Sequence, residues 1–275
     1  MTGSLANQVA VVTGGGRGLG RAFAVALAHE GARVAVVARS QEQLEETVAQ
    51  VERAGGTAYS FAADVSDAES TASTLDTIRR QLGDIDLLIN NAGIGSPIGP
   101  LAQADTDEWW RCQEVNLRGP MLWTRGVLGA MIERRRGRIV NVASGAGAVG
   151  VPYMSAYAAS KTALIRFTEV VAQEVSQHGV SLFAIEPGTV RTAMATFALE
   201  SPSGRRWVPW YRNIFDEKQD VLPEFSAELV VRLARGDADC LTGRFISRGD
   251  DLDAILRQST KAVENEWGVL RVRGR

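Results

Sequence analysis

A strand, a glycine-rich turn, a helix and a second strand follow one another without a break near the start of the chain. The apolar run 8–13 predicts a buried strand, and 21–30 has the spacing of an amphipathic helix. Residues 31–38 are again apolar and β-branched, so the unit predicts two parallel strands joined by a right-handed crossover. Such a unit constrains the chain to a parallel sheet with helices on its faces.

Alternating strands and helices continue along the rest of the chain. Apolar, β-branched runs predict strands at 57–63, 85–90, 139–143, 180–185 and 241–247. Helical spacing predicts helices at 41–54, 66–82, 106–131, 162–177 and 226–235. This order predicts an α/β fold: a doubly wound, Rossmann-type three-layer sandwich with a central parallel sheet of about seven strands. We interpret residues 1–275 as a single domain.

Composition and charge make several classes of protein improbable. A net charge of −2 over 275 residues predicts no bulk attraction to nucleic acid or to an anionic membrane. The basic run 134–138 follows a predicted helix and is interpreted as a solvated cluster of cations at its carboxyl end. Cys112 and Cys240 have no neighbouring cysteine, which argues against disulfides or a thiolate metal site and favours a cytoplasmic location.

Targeting, membrane and metal signals are weak. No signal peptide or good membrane span is visible, so we expect no membrane partner. Asp250 and Asp251 are paired, but no third ligand lies near them in the sequence. We therefore expect no metal, and interpret both as charges at the start of a helix.

The glycine turn between the first strand and helix is typical of a phosphate-binding loop. Glycines at 14, 18 and 20 allow a close backbone approach, and a helix N-terminus offers free N–H groups and a positive dipole end. The spacing is Gly-x-x-x-Gly-x-Gly, with Leu19 where the Gly-x-Gly-x-x-Gly fingerprint would close. A tight strand-to-helix turn without a ligand is the alternative interpretation.

The end of the second strand indicates which dinucleotide the loop would take. A residue that binds the ribose 2′-hydroxyl should be acidic there, but the chain has Ala38, Arg39 and Ser40. Arg39 can pair with a 2′-phosphate, and Arg17 in the glycine turn can add a second cation. The alternative is that Arg39 is a solvated charge at a helix start. We predict NADP(H) in preference to NAD(H), with NAD(H) still possible.

Tyr157 and Lys161 lie four residues apart, which places both on one helical face. A lysine ammonium beside a phenol is expected to lower the tyrosine pKa from about 10, so that Tyr157 can exchange a proton with an alcohol or a carbonyl. Ser144, at the end of a predicted strand, can hydrogen-bond the same substrate oxygen. Pro120 is expected to disturb the helix near Asn116 and free a carbonyl there.

These motifs together resemble the compact, single-domain branch of the short-chain dehydrogenase/reductase family. The stretch 13–20 resembles its Thr-Gly-x-x-x-Gly-x-Gly turn, 90–93 matches its Asn-Asn-Ala-Gly motif, and 187–192 resembles its Pro-Gly turn. The resemblance covers roughly residues 5 to 247. Its catalytic tetrad falls on Asn116, Ser144, Tyr157 and Lys161.

The resemblance implies an NADP(H)-preferring oxidoreductase that interconverts a carbonyl (ketone or aldehyde) and a secondary alcohol. Tyr157 would be the general acid or base, Lys161 would lower its pKa and hold the nicotinamide ribose, Ser144 would bind the substrate oxygen, and Asn116 would hold a relay water. The implied cofactor contacts are Gly14, Gly16, Arg17, Gly18, Leu19, Gly20, Arg39, Ser40, Asp64, Val65, Asn91, Ala92, Gly93, Tyr157, Lys161, Pro187, Gly188, Val190 and Thr192. Asp64 is expected either to cap a turn or to receive the adenine amino group. A non-catalytic dinucleotide-binding sensor or scaffold is the alternative.

Two segments carry further expectations. In this family a segment such as 193–223 caps the substrate cleft, and its aromatic residues favour an apolar or ring-bearing substrate. Plain packing or a subunit contact is the alternative. Val149, Val151 and Tyr153 are expected on the opposite wall. Residues 248–275, a helix to about 266 and a tail, depart from the family pattern and put its usual tetramer contact in doubt. We expect a homodimer or homotetramer.

Overall fold

A computed structural model describes residues 3–272, and the last three residues of the predicted tail, 273–275, lie outside that range. The seven strands form one parallel sheet in the order β3-β2-β1-β4-β5-β6-β7. They are β1 (Val9–Thr13), β2 (Arg33–Ala38), β3 (Thr57–Ala62), β4 (Leu87–Asn90), β5 (Gly137–Val142), β6 (Val180–Glu186) and β7 (Phe245–Ser247). The predicted seven-stranded parallel sheet is confirmed.

The helices follow the strands in regular alternation as far as β6, and short helices occupy much of the rest. They are α1 (Gly18–His29), α2 (Gln41–Arg53), α3 (Ala68–Leu82), α4 (Thr106–Gln113), α5 (Gly119–Arg134), α6 (Ser155–Glu174), α7 (Ala193–Glu200), α8 (Pro202–Trp207), α9 (Tyr211–Asp216), α10 (Pro223–Arg235), α11 (Leu252–Arg257) and α12 (Ser259–Glu264).

Both faces of the sheet are covered, which explains why the central strands are continuous apolar runs rather than alternating ones. Every residue of β1 and β4 is buried. One face packs against apolar residues of α1, α2 and α10, around Phe23 and Leu233. The other packs against α3, α5 and the end of α6, around Trp123 and Ile78. The result is the predicted three-layer sandwich.

Several predicted element boundaries were wrong. The helix expected at 162–177 is α6, which begins at Ser155 and so includes Tyr157 and Lys161. The last strand begins at Phe245 rather than 241, because residues 239–241 form a short 3₁₀ turn. The helix expected to run to about 266 is two short helices, α11 and α12, which meet at Gln258.

The basic run after α5 is not simply solvated, as the sequence had suggested. Arg134 and Arg136 both pair with Asp86, at 2.9 and 2.7 Å, and that carboxylate is buried. Arg138 pairs with Asp239 at 2.6 Å. Because a buried carboxylate needs charged partners, these arginines fasten β4, β5 and the segment after α10 together.

The helix between β4 and β5 is distorted where the sequence predicts it. Residues 114–118, which include Asn116, form a π-helical turn between α4 and α5. Pro120 lies in the first turn of α5, where its missing N–H is least costly. Turns of this kind leave backbone groups free and often occur at functional sites.

From β1 the chain adds strands first on one side of the sheet, as β2 and β3, and then on the other, beginning with β4. At such a switch point the connections after β1 and β4 leave on opposite faces, so a crevice opens at the carboxyl ends of these two strands. Thr13, Asn90, Val142 and Glu186 end the four central strands on this side. Between residues 3 and 272, no helix is both long and apolar enough for a bilayer. No group of three metal-ligating side chains occurs within the same range.

Candidate active site

The turn after β1 has a backbone that requires glycine at two positions. Gly14 has a φ of +64°, and a Cβ placed there would lie 2.9 Å from the Cα of Ala92. A Cβ on Gly20 would lie only 2.2 Å from the carbonyl oxygen of Gly14. The first turn of α1 therefore packs directly on the loop, with no room for side chains.

The N-terminus of α1 lies open in this crevice. Arg17 occupies the N-cap position in an extended conformation, and no side chain caps the helix. The first N–H groups of a helix without a cap remain available to an anion, and the dipole favours one there. Gly16 is buried, Leu19 is half-buried, and a Cβ on Gly18 would lie 3.2 Å from Thr192 Cγ2. This groove can hold a phosphate group.

The sequence did not reveal the contacts that hold the glycine turn in place. Arg21 donates to the carbonyl oxygen of Gly16 at 2.6 Å and to Thr47 Oγ1 at 3.1 Å. The buried hydroxyl of Thr47 donates to the carbonyl oxygen of Gly15 at 3.0 Å. These polar contacts join α1 and α2 to the loop, but only the fold brings residues so far apart in sequence together.

The residues after β2 have different roles. Ser40 caps α2, since its hydroxyl accepts a hydrogen bond from the backbone N–H of Gln43 at 3.4 Å. Arg39 is exposed, and no ion pair involves it within residues 3–272. Ala38 lies against the glycine turn, 3.5 Å from a Cβ placed on Gly16. An unpaired guanidinium thus lies beside the loop, where no acidic side chain occupies position 38.

Asp64 takes the turn-forming role that was one of its two expected roles. Its carboxylate accepts hydrogen bonds from the backbone N–H and hydroxyl of Ser66 at 2.9 and 2.6 Å, and pairs with Arg111 at 2.7 Å. Burial would raise the Asp64 pKa, but these donors lower it to about 2. Val65 is buried beside it and packs against Gly119 of α5.

The motif after β4 supports the glycine turn from behind. Asn91 Nδ2 donates to the carbonyl oxygens of Thr13 and Gly14, at 2.9 and 3.2 Å. The backbone N–H groups of Asn91 and Ala92 both donate to the Thr13 hydroxyl. The Asn91 side chain is thus used within the protein, so the expected cofactor contact of Asn91 can come only from its backbone.

Tyr157 and Lys161 face the crevice from the first turns of α6. Lys161 Nζ lies 5.7 Å from the centre of the Tyr157 ring and donates to the carbonyl oxygen of Val142 at 2.7 Å. Burial lowers the pKa of Lys161 to about 8. Burial raises the pKa of Tyr157 to about 12, against the opposing hydrogen bond of Ser144. The expected lowering of the tyrosine pKa was therefore wrong, because loss of solvation outweighs the lowering effect of the Ser144 hydroxyl.

Ser144 follows the end of β5 and lies beside the phenol. Its hydroxyl accepts a hydrogen bond from the backbone N–H of Ala146 at 3.2 Å, and it is near enough to Tyr157 to act on the pKa of that phenol. The two other serines nearby have different partners. Ser155 Oγ accepts from the Trp109 indole, and Ser160 Oγ donates to the carbonyl oxygen of Tyr157. Ser144 is thus the hydroxyl that the fold brings to Tyr157.

Asn116 is buried in the π-helical turn and is held by both ends of its amide. Its Nδ2 donates to the carbonyl oxygen of Ile94 and to Ser160 Oγ, at 2.9 and 3.0 Å, while its Oδ1 accepts from the Ile94 N–H. A Cβ placed on Gly93 would lie 3.3 Å from Asn116 Oδ1 and 3.6 Å from Lys161 Nζ. The amide and the ammonium therefore flank one small space, though they do not touch.

The turn after β6 forms the next wall. Gly188 has a φ of +80°, and its N–H donates to the carboxylate of Glu186 at 3.1 Å. Val190 is buried, and Thr192 caps α7 by accepting from the N–H of Ala195 at 3.4 Å. Pro187 is joined to α10, since its carbonyl oxygen accepts from the Ser226 hydroxyl. The turn therefore has a defined shape next to the α1 N-terminus.

The segment 193–223 folds into α7, α8 and α9, and these carry aromatic residues to the crevice. Trp207 and Tyr211 pack against Ile98, which follows β4. Tyr153 stacks on Trp207, with 4.9 Å between ring centres, and has a φ of 67° that non-glycine residues seldom adopt. Tyr153, which was expected on the opposite wall together with Val149 and Val151, thus packs on the aromatic segment itself, and Val149 is largely exposed.

Comparison with known proteins places this arrangement in a family. The profile described as short chain dehydrogenase matches residues 8–202, which include the glycine turn, the four tetrad residues and the turn after β6. The chain belongs to the short-chain dehydrogenase family. The match ends within the segment that folds into α7–α9.

Relatives in this family are similar along most of the chain. A 2-(S)-hydroxypropyl-CoM dehydrogenase of Xanthobacter autotrophicus is 35% identical over 261 residues, which covers 93% of this chain and 100% of that one. A variant of actinorhodin polyketide ketoreductase, solved with NADPH, has a TM-score of 0.82 and 32% identity, covering 90% of this chain and 97% of that chain. An NAD⁺-bound xylitol dehydrogenase has a TM-score of 0.81 and 29% identity, covering 88% and 98%. The protein is thus an oxidoreductase of a family that includes dehydrogenases and ketoreductases.

Proposed function

We propose that this protein is an NADP(H)-preferring oxidoreductase that interconverts a ketone or aldehyde and the corresponding alcohol. The observation that carries the proposal is the meeting of Ser144, Tyr157 and Lys161 at the carboxyl end of β5, beside the glycine turn. The similarity to a ketoreductase solved with NADPH supports it. Because another similar structure is an NAD⁺-bound xylitol dehydrogenase, NAD(H) is the alternative cofactor.

The crevice fits a dinucleotide. The uncapped N-terminus of α1, at the end of the glycine turn, leaves N–H groups available to a phosphate. Arg39 and Arg17 are exposed beside that turn and would hold a 2′-phosphate, whereas position 38 lacks the carboxylate that would repel one. When bound, the nicotinamide supplies or accepts the hydride.

Side chains of the site would donate the proton to the substrate and allow it to be replaced. A phenol with a pKa of about 12 stays protonated at neutral pH, so Tyr157 would donate its proton to the carbonyl oxygen during reduction. Ser144 would hydrogen-bond the same oxygen, and the Lys161 ammonium, held by Val142, would stabilise the phenolate that forms. Asn116 Oδ1 and Lys161 Nζ border the space in which a water would return the proton to Tyr157.

The segment 193–223, which we call the aromatic lid, would select the substrate. Trp207, Tyr211 and Tyr153 form an apolar wall across from the tetrad, which favours an apolar or ring-bearing body on the substrate. This wall is the reason to begin a search with aromatic and cyclic ketones.

Replacing Tyr157 with Phe tests the proposal. We expect Tyr157→Phe to bind NADPH as the wild type does, measured by tryptophan fluorescence. Its kcat/KM for a ketone that the wild type reduces should fall about 10²-fold or more, because the proton donor is gone. Tyr59→Phe, an exposed tyrosine of β3, is the matched control and should keep full activity.

Two outcomes would contradict the proposal. Substantial turnover by Tyr157→Phe would remove Tyr157 from the acid/base role. Tight NADPH binding by the wild type without turnover of any carbonyl compound in a broad panel would instead favour the non-catalytic sensor or scaffold.

A further inference from the structure

Glu186 places a carboxylate at the carboxyl end of β6, next to the catalytic serine. β6 pairs with β5, with Val142 opposite Ile185, so Glu186 lies beside the residues that follow β5. Its Cγ is 3.8 Å from a Cβ placed on Gly145, the neighbour of Ser144. Side chains alternate along a strand, and Ala184 faces α6 together with Ala143. Glu186 therefore faces the side of the sheet from which α6 presents Tyr157 and Lys161.

Uncharged donors hold the Glu186 carboxylate in place. Oε1 accepts from the N–H of Gly188 at 3.1 Å, and Oε2 accepts from the Ser247 hydroxyl at 2.7 Å. Ser247 is itself fixed, because its N–H donates to Asp250 at 2.7 Å. A carboxylate has about four acceptor positions, so two remain for another donor. The negative charge is not neutralised by these partners.

The charge acts on the reacting position. Pairing of β6 with β5 places Glu186 next to the residues that follow β5, and its Cγ is within contact range of Gly145, the neighbour of Ser144. Its negative charge also contributes, well after burial, to the raised pKa of Tyr157. A substrate oxygen bound by Tyr157 would therefore lie near the carboxylate.

The Glu186 carboxylate differs in polarity from the apolar side chains on the lid side of the cleft. Trp207 and Tyr211 of the lid form a largely apolar cluster with Ile98, which follows β4, and Met154, which precedes α6. Two arginines stack on aromatic rings of the lid: Arg191 lies over Phe215 at 4.5 Å, and Arg206 over Trp207 at 4.7 Å. A polar group on a substrate would thus meet one acceptor on the sheet side and an apolar wall on the lid side.

We propose that Glu186 determines substrate specificity: its carboxylate accepts a hydrogen bond from a hydroxyl on the carbon next to the reacting carbonyl of an uncharged substrate, and it repels substrates with a carboxylate there. The substrate class is therefore neutral α-hydroxyketones and their diols. This inference depends on the proposed function. Ser247 is a positioning residue that acts through Glu186.

Three ketones that share a ring and differ beside the carbonyl test this inference: acetophenone, α-hydroxyacetophenone and phenylglyoxylate. In the wild type we expect kcat/KM for α-hydroxyacetophenone to exceed that for acetophenone by about tenfold, as one hydrogen bond to a charged acceptor provides. We expect phenylglyoxylate to be the poorest substrate. In Glu186→Gln the preference for the hydroxyketone should fall to near one, and phenylglyoxylate should improve relative to acetophenone by about tenfold.

Control variants separate specificity from general damage. Glu200→Gln, an exposed glutamate at the end of α7, should keep all wild-type ratios. Ser247→Ala, which frees Glu186 from one partner, should reduce the preference partly without reversing it. The three compounds are also titrated into the NADP⁺-loaded protein, which has no hydride to give to their carbonyl groups, so that the order of affinities is measured without their reduction.

The outcomes of the two proposals are distinguishable. Ratios that stay at wild-type values in Glu186→Gln, while Tyr157→Phe loses turnover, would overturn the role of Glu186 and leave the reaction standing. A wild type that prefers phenylglyoxylate would overturn it as well. Absence of turnover with all carbonyl compounds would contradict the proposed function, and the affinity order would still decide on Glu186.

Discussion

Burial moves the pKa values of Tyr157 and Lys161 in opposite directions. The neutral form of each is favoured, so the phenol rises to about 12 and the ammonium falls to about 8. A tyrosine that is neutral at pH 7 is suited to donate a proton, and a lysine that is still mostly charged can stabilise the resulting phenolate. Individual side chains here thus have properties that their residue types do not predict, because the fold controls their solvation.

The preference for NADP(H) is a prediction about two residues. We expect the double variant Ala38→Asp with Arg39→Ala to lower the ratio of kcat/KM with NADPH to that with NADH by about tenfold or more, because a repelling carboxylate replaces a cation at the 2′-phosphate. Steady-state kinetics with both cofactors measures the ratio. Arg125→Ala, an exposed arginine of α5, is the control and should leave the ratio alone. An unchanged ratio in the double variant would mean that the 2′-phosphate is recognised elsewhere.

At the level of elements, α5 combines a functional distortion at its start with close packing along its length. The π-helical turn before it directs Asn116 toward Ile94 and Ser160. Further along, Gly126 lets α3 approach, since a Cβ placed there would lie 2.3 Å from Leu75 Cδ1. One turn of the same helix beyond, Gly129 has nothing within 4 Å of the same position. Packing against α3 thus requires a glycine at position 126, but no contact requires one at position 129.

This contrast gives a matched pair of variants. Gly126→Ala should destabilise the protein, by about 1–3 kcal/mol relative to Gly129→Ala, because Leu75 is buried and has little room to move. Gly129→Ala should stabilise it by about 0.5–1 kcal/mol, since alanine favours the helix and meets open space. Chemical denaturation of both variants measures the difference. Equal stabilities would show that α3 shifts to admit the extra methyl group.

At the scale of the whole molecule, the chain beyond α12 returns to the edge of the sheet. The N–H of Phe245 in β7 donates to the carbonyl oxygen of Gly268 at 2.7 Å. Leu270 and Phe245 both pack against a small apolar cluster of Ala143, Ile165 and Ala184. Arg271 then pairs with Glu169 of α6 at 2.9 Å. The segment that departs from the family pattern thus covers part of the edge strand, which would otherwise expose unpaired groups.

Two aspartate substitutions test whether this segment stabilises the fold. Leu270→Asp should lower the free energy of unfolding by about 1–3 kcal/mol, because it places a charge against apolar side chains and near Glu169. Val272→Asp, at a residue that is 72% exposed, should change it by less than about 0.5 kcal/mol. Thermal and urea unfolding of both variants would show it. Equal, small effects would mean that residues 265–272 contribute little to stability.

Most of the fold was predictable because local patterns agree with it. The apolar runs and glycine turns identified all seven strands, and the helices on both faces follow from strands that are apolar throughout. The boundaries were less predictable. The start of α6 was placed seven residues late, at 162 instead of 155, because Ala156, Ala158 and Ala159 do not show a strong amphipathic pattern. The interpretation of residues 1–275 as one domain remains a prediction.

The family and the order of the strands and helices could be predicted from residue types at short spacings, and the same spacings predict which residues form the site. The behaviour of those residues depends on how the chain folds. Burial raises the pKa of Tyr157, and Arg134 and Arg136, which were interpreted as solvated, pair with Asp86. Strand pairing places Glu186 beside the residues that follow β5. Solvation and contacts between distant residues cause these effects, and no local pattern in the sequence specifies either one.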